Sequence, residues 1–200
     1  MFVIANNRCG LVSRSQQTTV KTPNKDRLYI AFYSKPTATL DSFHTALLIT
    51  PKRPNPKKVQ TWRYHVRENA RNSGDYHRWE YEGGRIGNGD PERRLVALVH
   101  LCKMASGVSN VELSVLFQDV EISSRWDDGG DRDWITRAIE LLTNRRVIGE
   151  MALSLQMIWS NGYRFAGLVE GNEERVPTCD IYGRMRKSEV RREWRRLSQS

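Results

Sequence analysis

Cysteine is scarce in this chain. Cys9, Cys102 and Cys179 are an odd number at no short spacing, which argues against a disulfide framework and a zinc knuckle. Long apolar runs are missing too: no stretch approaches the ~20 residues a membrane span needs. The opening MFVIANNRCGLV has neither the basic start nor the sustained apolar run of a secretory signal. No internal repeat or long low-complexity tract is visible, which sets aside solenoids and arrays. These absences point to a reduced, cytoplasmic protein. What remains is 200 residues, 38% apolar and 28% charged. That is enough chain for about one domain with a core that needs neither disulfides nor metals.

The net charge of +9 suggests nucleic acid, because clustered cations are the footprint of phosphate binding. Its distribution weakens that suggestion. Residues 1–25 carry Arg8, Arg14, Lys21 and Lys25 with no acid, and residues 181–200 carry seven basic residues against Glu189 and Glu193. The remaining body holds 21 basic and 21 acidic residues and is neutral. Basic tails attract polyanions weakly and in a salt-dependent way. A basic nucleic-acid-associated protein therefore stands as a second alternative only.

The pattern along the chain predicts a polar basic tail over 1–25, with Phe2 to Ile4 as a short strand at most. One domain follows over 26–180, and a basic helix over 181–200. Strands are expected at 27–34, 42–50, 61–68, 78–83 and 94–104, where apolar residues alternate or run continuously between turn signals. PKRPNPKK, residues 51–58, contains three prolines and is expected to stay outside the sheet. Asn110 reads as the N-cap of a short helix over 111–117. Residues 131–142 hold the clearest helical stripe, made by Trp134, Ile135, Ala138, Ile139, Leu141 and Leu142. Asp131 or Asp133 would cap it. Residues after Ala152 are expected to form a helix to about Ser160 and then a strand from Tyr163 to Val169. In the terminal helix Val190, Trp194 and Leu197 make a narrow stripe, which either docks on the body or lies on an anionic surface. Strands first and helices after give an α+β fold with an antiparallel sheet and a long packed helix.

Four histidines are present: His44, His65, His77 and His100. His44 opens one predicted strand and His65 lies within the next, on its polar face, so an antiparallel pairing would bring the two imidazoles together. The run FHTALLITPK, RYHVREN, WEYE, RLVALVHLCKM and DRDWITRAIELL resembles a fungal family of uncharacterised NlpC-like proteins. That family is related to the lecithin:retinol acyltransferase branch of the permuted papain-like fold. The resemblance covers roughly residues 27–143. It implies a catalytic histidine opening a strand, a polar histidine on the next, and a cysteine at the start of the long helix. Carried over, His44 is the base and His65 its orienter.

The cysteine is absent. Its position falls in Gly130-Asp131-Arg132-Asp133-Trp134, on Asp131. A helix N-terminus would lower a thiol's pKa, but a carboxylate lacks that soft nucleophilicity. None of the three cysteines replaces it: Cys9 lies in the tail, Cys102 in an apolar strand, and Cys179 beyond the core, where it is expected to be accessible. His44, His65 and Asp131 are thus expected as vestigial triad positions in one cleft, with His44 and Asp131 within about 6 Å. Two histidines and an aspartate also match the ligand types of a non-haem iron site, but no H-x-D pair accompanies them, and neither metal nor cofactor is expected. The function implied is that of a pseudoenzyme, a binding or interaction protein using the former substrate cleft for an unknown protein or small-molecule ligand. The alternative is an active amide or ester hydrolase or acyltransferase using His44 and a nucleophile not identified in the sequence.

Overall fold

The computed structural model describes residues 26–35, 43–52, 54–55, 58, 60–69, 78–86, 95–105, 107–122, 130–169 and 175–190. The tail over 1–25, His77, Trp194 and Leu197 lie outside them. Five strands come first: β1 (Asp26–Ser34), β2 (Phe43–Pro51), β3 (Trp62–Asn69), β4 (Arg78–Arg85) and β5 (Leu95–Lys103). Three helices follow, α1 (Asn110–Gln118), α2 (Gly130–Asn144) and α3 (Leu155–Leu168), then the two-residue strands β6 (Thr178–Cys179) and β7 (Met185–Arg186). The fold is α+β.

The strands form one sheet in the order β4-β3-β2-β1-β5-β6-β7. All neighbours are antiparallel except β5 and β6, which run parallel. β1 and β2 are central and their inner residues are buried on both faces, so they read as continuous apolar runs rather than as alternation. Pro51 closes β2 opposite Asp26. It therefore does pair at the strand's last position, where a missing N–H costs no interior ladder bond.

The helices cover one face. Leu28, Ile30, Phe32, Leu47, Ile49, Tyr64 and Val99 pack there against Phe117, Trp134, Ile135, Ile139, Leu142 and Ile158. The opposite face carries Tyr29, Ala31, Tyr33, Ala46, Leu48 and Leu98, joined by Val176 and Val190 from the closing segment.

Three local expectations need correction. The N-cap of α1 is Ser109, not Asn110: the Ser109 hydroxyl accepts from the Glu112 amide while the Glu112 carboxylate accepts from the Ser109 amide, a reciprocal capping box. Asn110 instead accepts from the Tyr64 hydroxyl. Residues 163–169 do not form a strand, because α3 runs unbroken to Leu168. The Asn161-Gly162 pair that suggests a turn sits inside the helix. A Cβ on Gly162 would overlap Val99 Cγ2 and lie 3.0 Å from the Phe32 ring, so the glycine serves close approach of α3 to β1 and β5. Gly162→Ala should destabilise the fold by about 1–2 kcal/mol net, the overpacking cost exceeding the gain in helix propensity. Urea unfolding would measure it.

The third correction is the basic helix expected over 181–200. Its described part, 181–190, is a turn and a short strand. The Asp180 carboxylate accepts the Tyr182 and Arg184 amides, and Gly183 takes φ +78°, a conformation that ends helical geometry and suits glycine. The chain then returns along the sheet edge. Val190 is buried, Ser188 bonds Thr178, and Glu189 reaches Arg27 at 3.8 Å. Arg186 Nη1 donates to His100 Nδ1 at 2.7 Å. Burial, with the Arg186 charge second, pushes His100 down to about 4, so it is neutral at physiological pH and well suited to accept.

Among the described residues no helix is long and apolar enough to cross a membrane.

Candidate functional site

β2 and β3 pair at only three positions, ending at Leu47↔Tyr64. Beyond that pair, towards the start of β2, the ladder is replaced by the first turn of α2. The Thr45 amide donates to Asp131 Oδ2 at 2.9 Å. Asp131 Oδ1 accepts the Arg132 amide at 2.9 Å. The carboxylate thus ties the start of α2 to the sheet at the point where strand pairing stops. This differs from the simple N-cap expected of it: Asp131 lies within α2, and its main partner is another element. Asp133 is exposed.

The same carboxylate faces the first histidine. His44 Nδ1 stands 3.5 Å from Asp131 Oδ2, and His44 Nε2 lies 2.9 Å from His65 Nδ1. The rings meet edge to face with centroids 5.0 Å apart. Beyond them, His65 Nε2 is 3.9 Å from Glu82 Oε1 on β4, and Arg63 and Arg67 flank that glutamate. The structure therefore brings all three expected residues together in a line that runs Asp131, His44, His65. His65 is not on a solvated polar face. It is 2% exposed, and His44 and Asp131 are similarly buried at 6% and 5%.

The electrostatics follow from this geometry. Burial alone would raise the Asp131 carboxyl, but the His44 hydrogen bond and charge, with the Thr45 amide, outweigh it and hold the group below its ordinary 3.8. An ionised Asp131 keeps a proton on His44 Nδ1. That leaves the Nε2 side to share one proton with His65, so each ring is held in one orientation.

Asp131 and His65 lie against opposite nitrogens of His44. The three donors do not converge on a point, which removes the 2-His-1-carboxylate metal arrangement. Among the described residues no group of three or more His, Cys, Asp or Glu is spaced to hold a metal ion.

The cysteines stand apart from the line. Cys102 lies in β5 and Cys179 in β6, and both are free thiols. Burial pushes Cys102 up to about 11 and Cys179 up to about 12. Cys179 is fully buried rather than accessible, because the segment that follows it folds back on the sheet. Cys9 lies outside the described residues.

Sequence reasoning missed Thr45 and Glu82, whose roles depend on strand register. It also missed the outer surface of α3. The i, i+4 and i+8 spacing of Ile158, Gly162 and Ala166 was the signal for a continuous helix there.

A buried acid–imidazole–imidazole line at a helix start, set where two strands part, defines an α+β domain with a sealed polar site at the edge of its core. The chain belongs to the DUF6914 family, a family of unknown function, which it matches over residues 25–177. No curated protein and no solved structure matches it.

Proposed function

We propose that this DUF6914 domain is a non-catalytic relative of the permuted papain-like, NlpC-like hydrolases that acts inside the cell as a binding protein. The observation that carries the reading is the Asp131 carboxylate. It stands at the start of α2, where the resemblance puts the nucleophile, faces one ring nitrogen of His44, and leaves the other to His65. On this reading the base and orienter positions surround a group that cannot form a thioester. Asp131 is also engaged by two backbone amides and nearly closed to solvent, which suits a structural brace and leaves no room for an attacking pose. The free, reduced thiols are compatible with a location inside the cell.

The test is turnover. Aryl ester, amide and thioester substrates should give no saturable hydrolysis above background. Iodoacetamide labelling of the full chain near pH 6 should be slow, and no cysteine should change rate in His44→Ala, because the thiols at 102 and 179 are held far from thiolate. Saturable hydrolysis, or stoichiometric labelling abolished by His44→Ala, would overturn the proposal and show that a nucleophile is in place.

A further inference from the structure

Beside the sealed line lies an open groove of about 550 Å³ between the first turn of α2 and the outer face of α3. Arg132, Gln156, Trp159, Ser160, Tyr163 and Arg164 line it. It adjoins the His44–Asp131 contact on both sides: Arg132 follows Asp131, and Tyr163 packs edge-on, centroids 5.3 Å apart, against Phe43, the neighbour of His44. Its volume falls in the range of small-molecule sites.

The floor is aromatic and firmly supported. Phe32, rising from the central strand β1, contacts Phe43, Trp159 and Tyr163 with centroids 5.9, 5.5 and 6.5 Å apart. The close seat of α3 at Gly162 holds Trp159 and Tyr163 against that ring. The walls are cationic. Arg132 stands 5.8 Å over the Trp159 indole, and Arg164 is on the exposed side of α3. Among the described residues no acid lines the groove, and α3 contains none. Among the described residues neither guanidinium has a carboxylate within 4.0 Å. Two planar cations and two aromatic rings lining one groove, with a hydroxyl and an amide beside them, are complementary to one kind of ligand.

We infer that this groove binds a small ligand carrying an aromatic ring and an oxyanion, the ring lying on Trp159 and Tyr163 and the oxyanion between Arg132 and Arg164. The inference rests on the proposed binding role of the cleft and names the chemistry of its ligand. Ser160 and Gln156 would supply the remaining hydrogen bonds to the anion.

Calorimetric titration of the full chain with 2-naphthoate, 2-naphthyl phosphate and the neutral 2-naphthamide tests it. At least one of the two anions should bind, and the stronger of them tells which oxyanion the groove prefers. The amide should bind about tenfold more weakly or not at all, since it lacks the charge-assisted bonds. Arg164→Gln, an exposed substitution that leaves the core untouched, should weaken anion binding severalfold. Adding Arg132→Gln should take the loss to tenfold or more, while Arg145→Gln at the far end of α2 should change nothing. Equal affinity for anion and amide, no binding at millimolar anion, or insensitivity to Arg164→Gln in a folded protein would overturn the inference. These outcomes are independent of turnover. Hydrolysis dependent on His44 with intact naphthoate binding would sink the non-catalytic reading alone, and absent binding without hydrolysis would sink this one alone.

Discussion

Trp134→Ala should cost about 3–5 kcal/mol of unfolding free energy, the range for truncating a large buried aromatic. Trp134 is 1% exposed on the inner face of α2. It lies between Tyr81 of β4 and Phe117 of α1, each with ring centroids 5.7 Å away. It therefore joins three elements that are far apart in sequence, and the cavity left by alanine would be lined by parts of all three. Trp134→Phe separates volume from polarity. The indole N–H is buried and finds no acceptor among the described residues, so phenylalanine removes an unsatisfied donor together with part of the ring. Its cost should be about 1 kcal/mol. Urea unfolding with an unchanged m-value would measure both. A phenylalanine variant as unstable as the alanine variant would mean that the indole N–H is satisfied after all.

The second large effect is at Asp131. Asp131→Ala should lose about 3 kcal/mol or more, because it breaks a buried charged contact to His44 and strands the Thr45 amide between β2 and β3. Asp131→Asn keeps an acceptor for one amide and should lose about half as much. The pH dependence has a definite sign. The carboxyl is held below its ordinary 3.8 in the folded protein. Its stabilisation is therefore fully present at neutral pH and is lost as pH falls below about 4 through the folded value. His44, His65 and, further out, Glu82 face the same line. Unfolding curves from pH 7 to pH 3 should converge for the wild-type chain and Asp131→Asn as the acid limit is approached. Curves that remain parallel would show that Asp131 contributes no ionised contact.

Much of the strand pattern was legible because β1, β2 and β5 are buried on both faces, and buried strands are written as near-continuous apolar runs. α2 was legible because one face of it is buried, so its stripe recurs at helical spacing. The elements misread share a different cause. α3 contains Asn161-Gly162, which locally favours a turn, and only the demand for close packing on Phe32 and Val99 turns that glycine into a helix-interior residue. The helix expected over 181–200 was read from Val190, Trp194 and Leu197, yet in its described part the Asp180 carboxylate and the left-handed Gly183 make a turn that lets Val190 reach the sheet.

For the candidate site, the sequence by itself determined which groups are available: two histidines on neighbouring strands, a carboxylate at the start of the long helix, and no cysteine there. It also determined that the surplus charge resides at the two ends. The tertiary structure decided what those groups do to one another. Only the early end of the β2–β3 ladder admits the Asp131 carboxylate to the Thr45 amide, and only the rotation of the rings sets Asp131 and His65 on opposite nitrogens of His44. Ladder length and ring orientation come from packing among residues far apart along the chain. Local pattern carries no record of them, which is why the donors could be named in advance but not their arrangement.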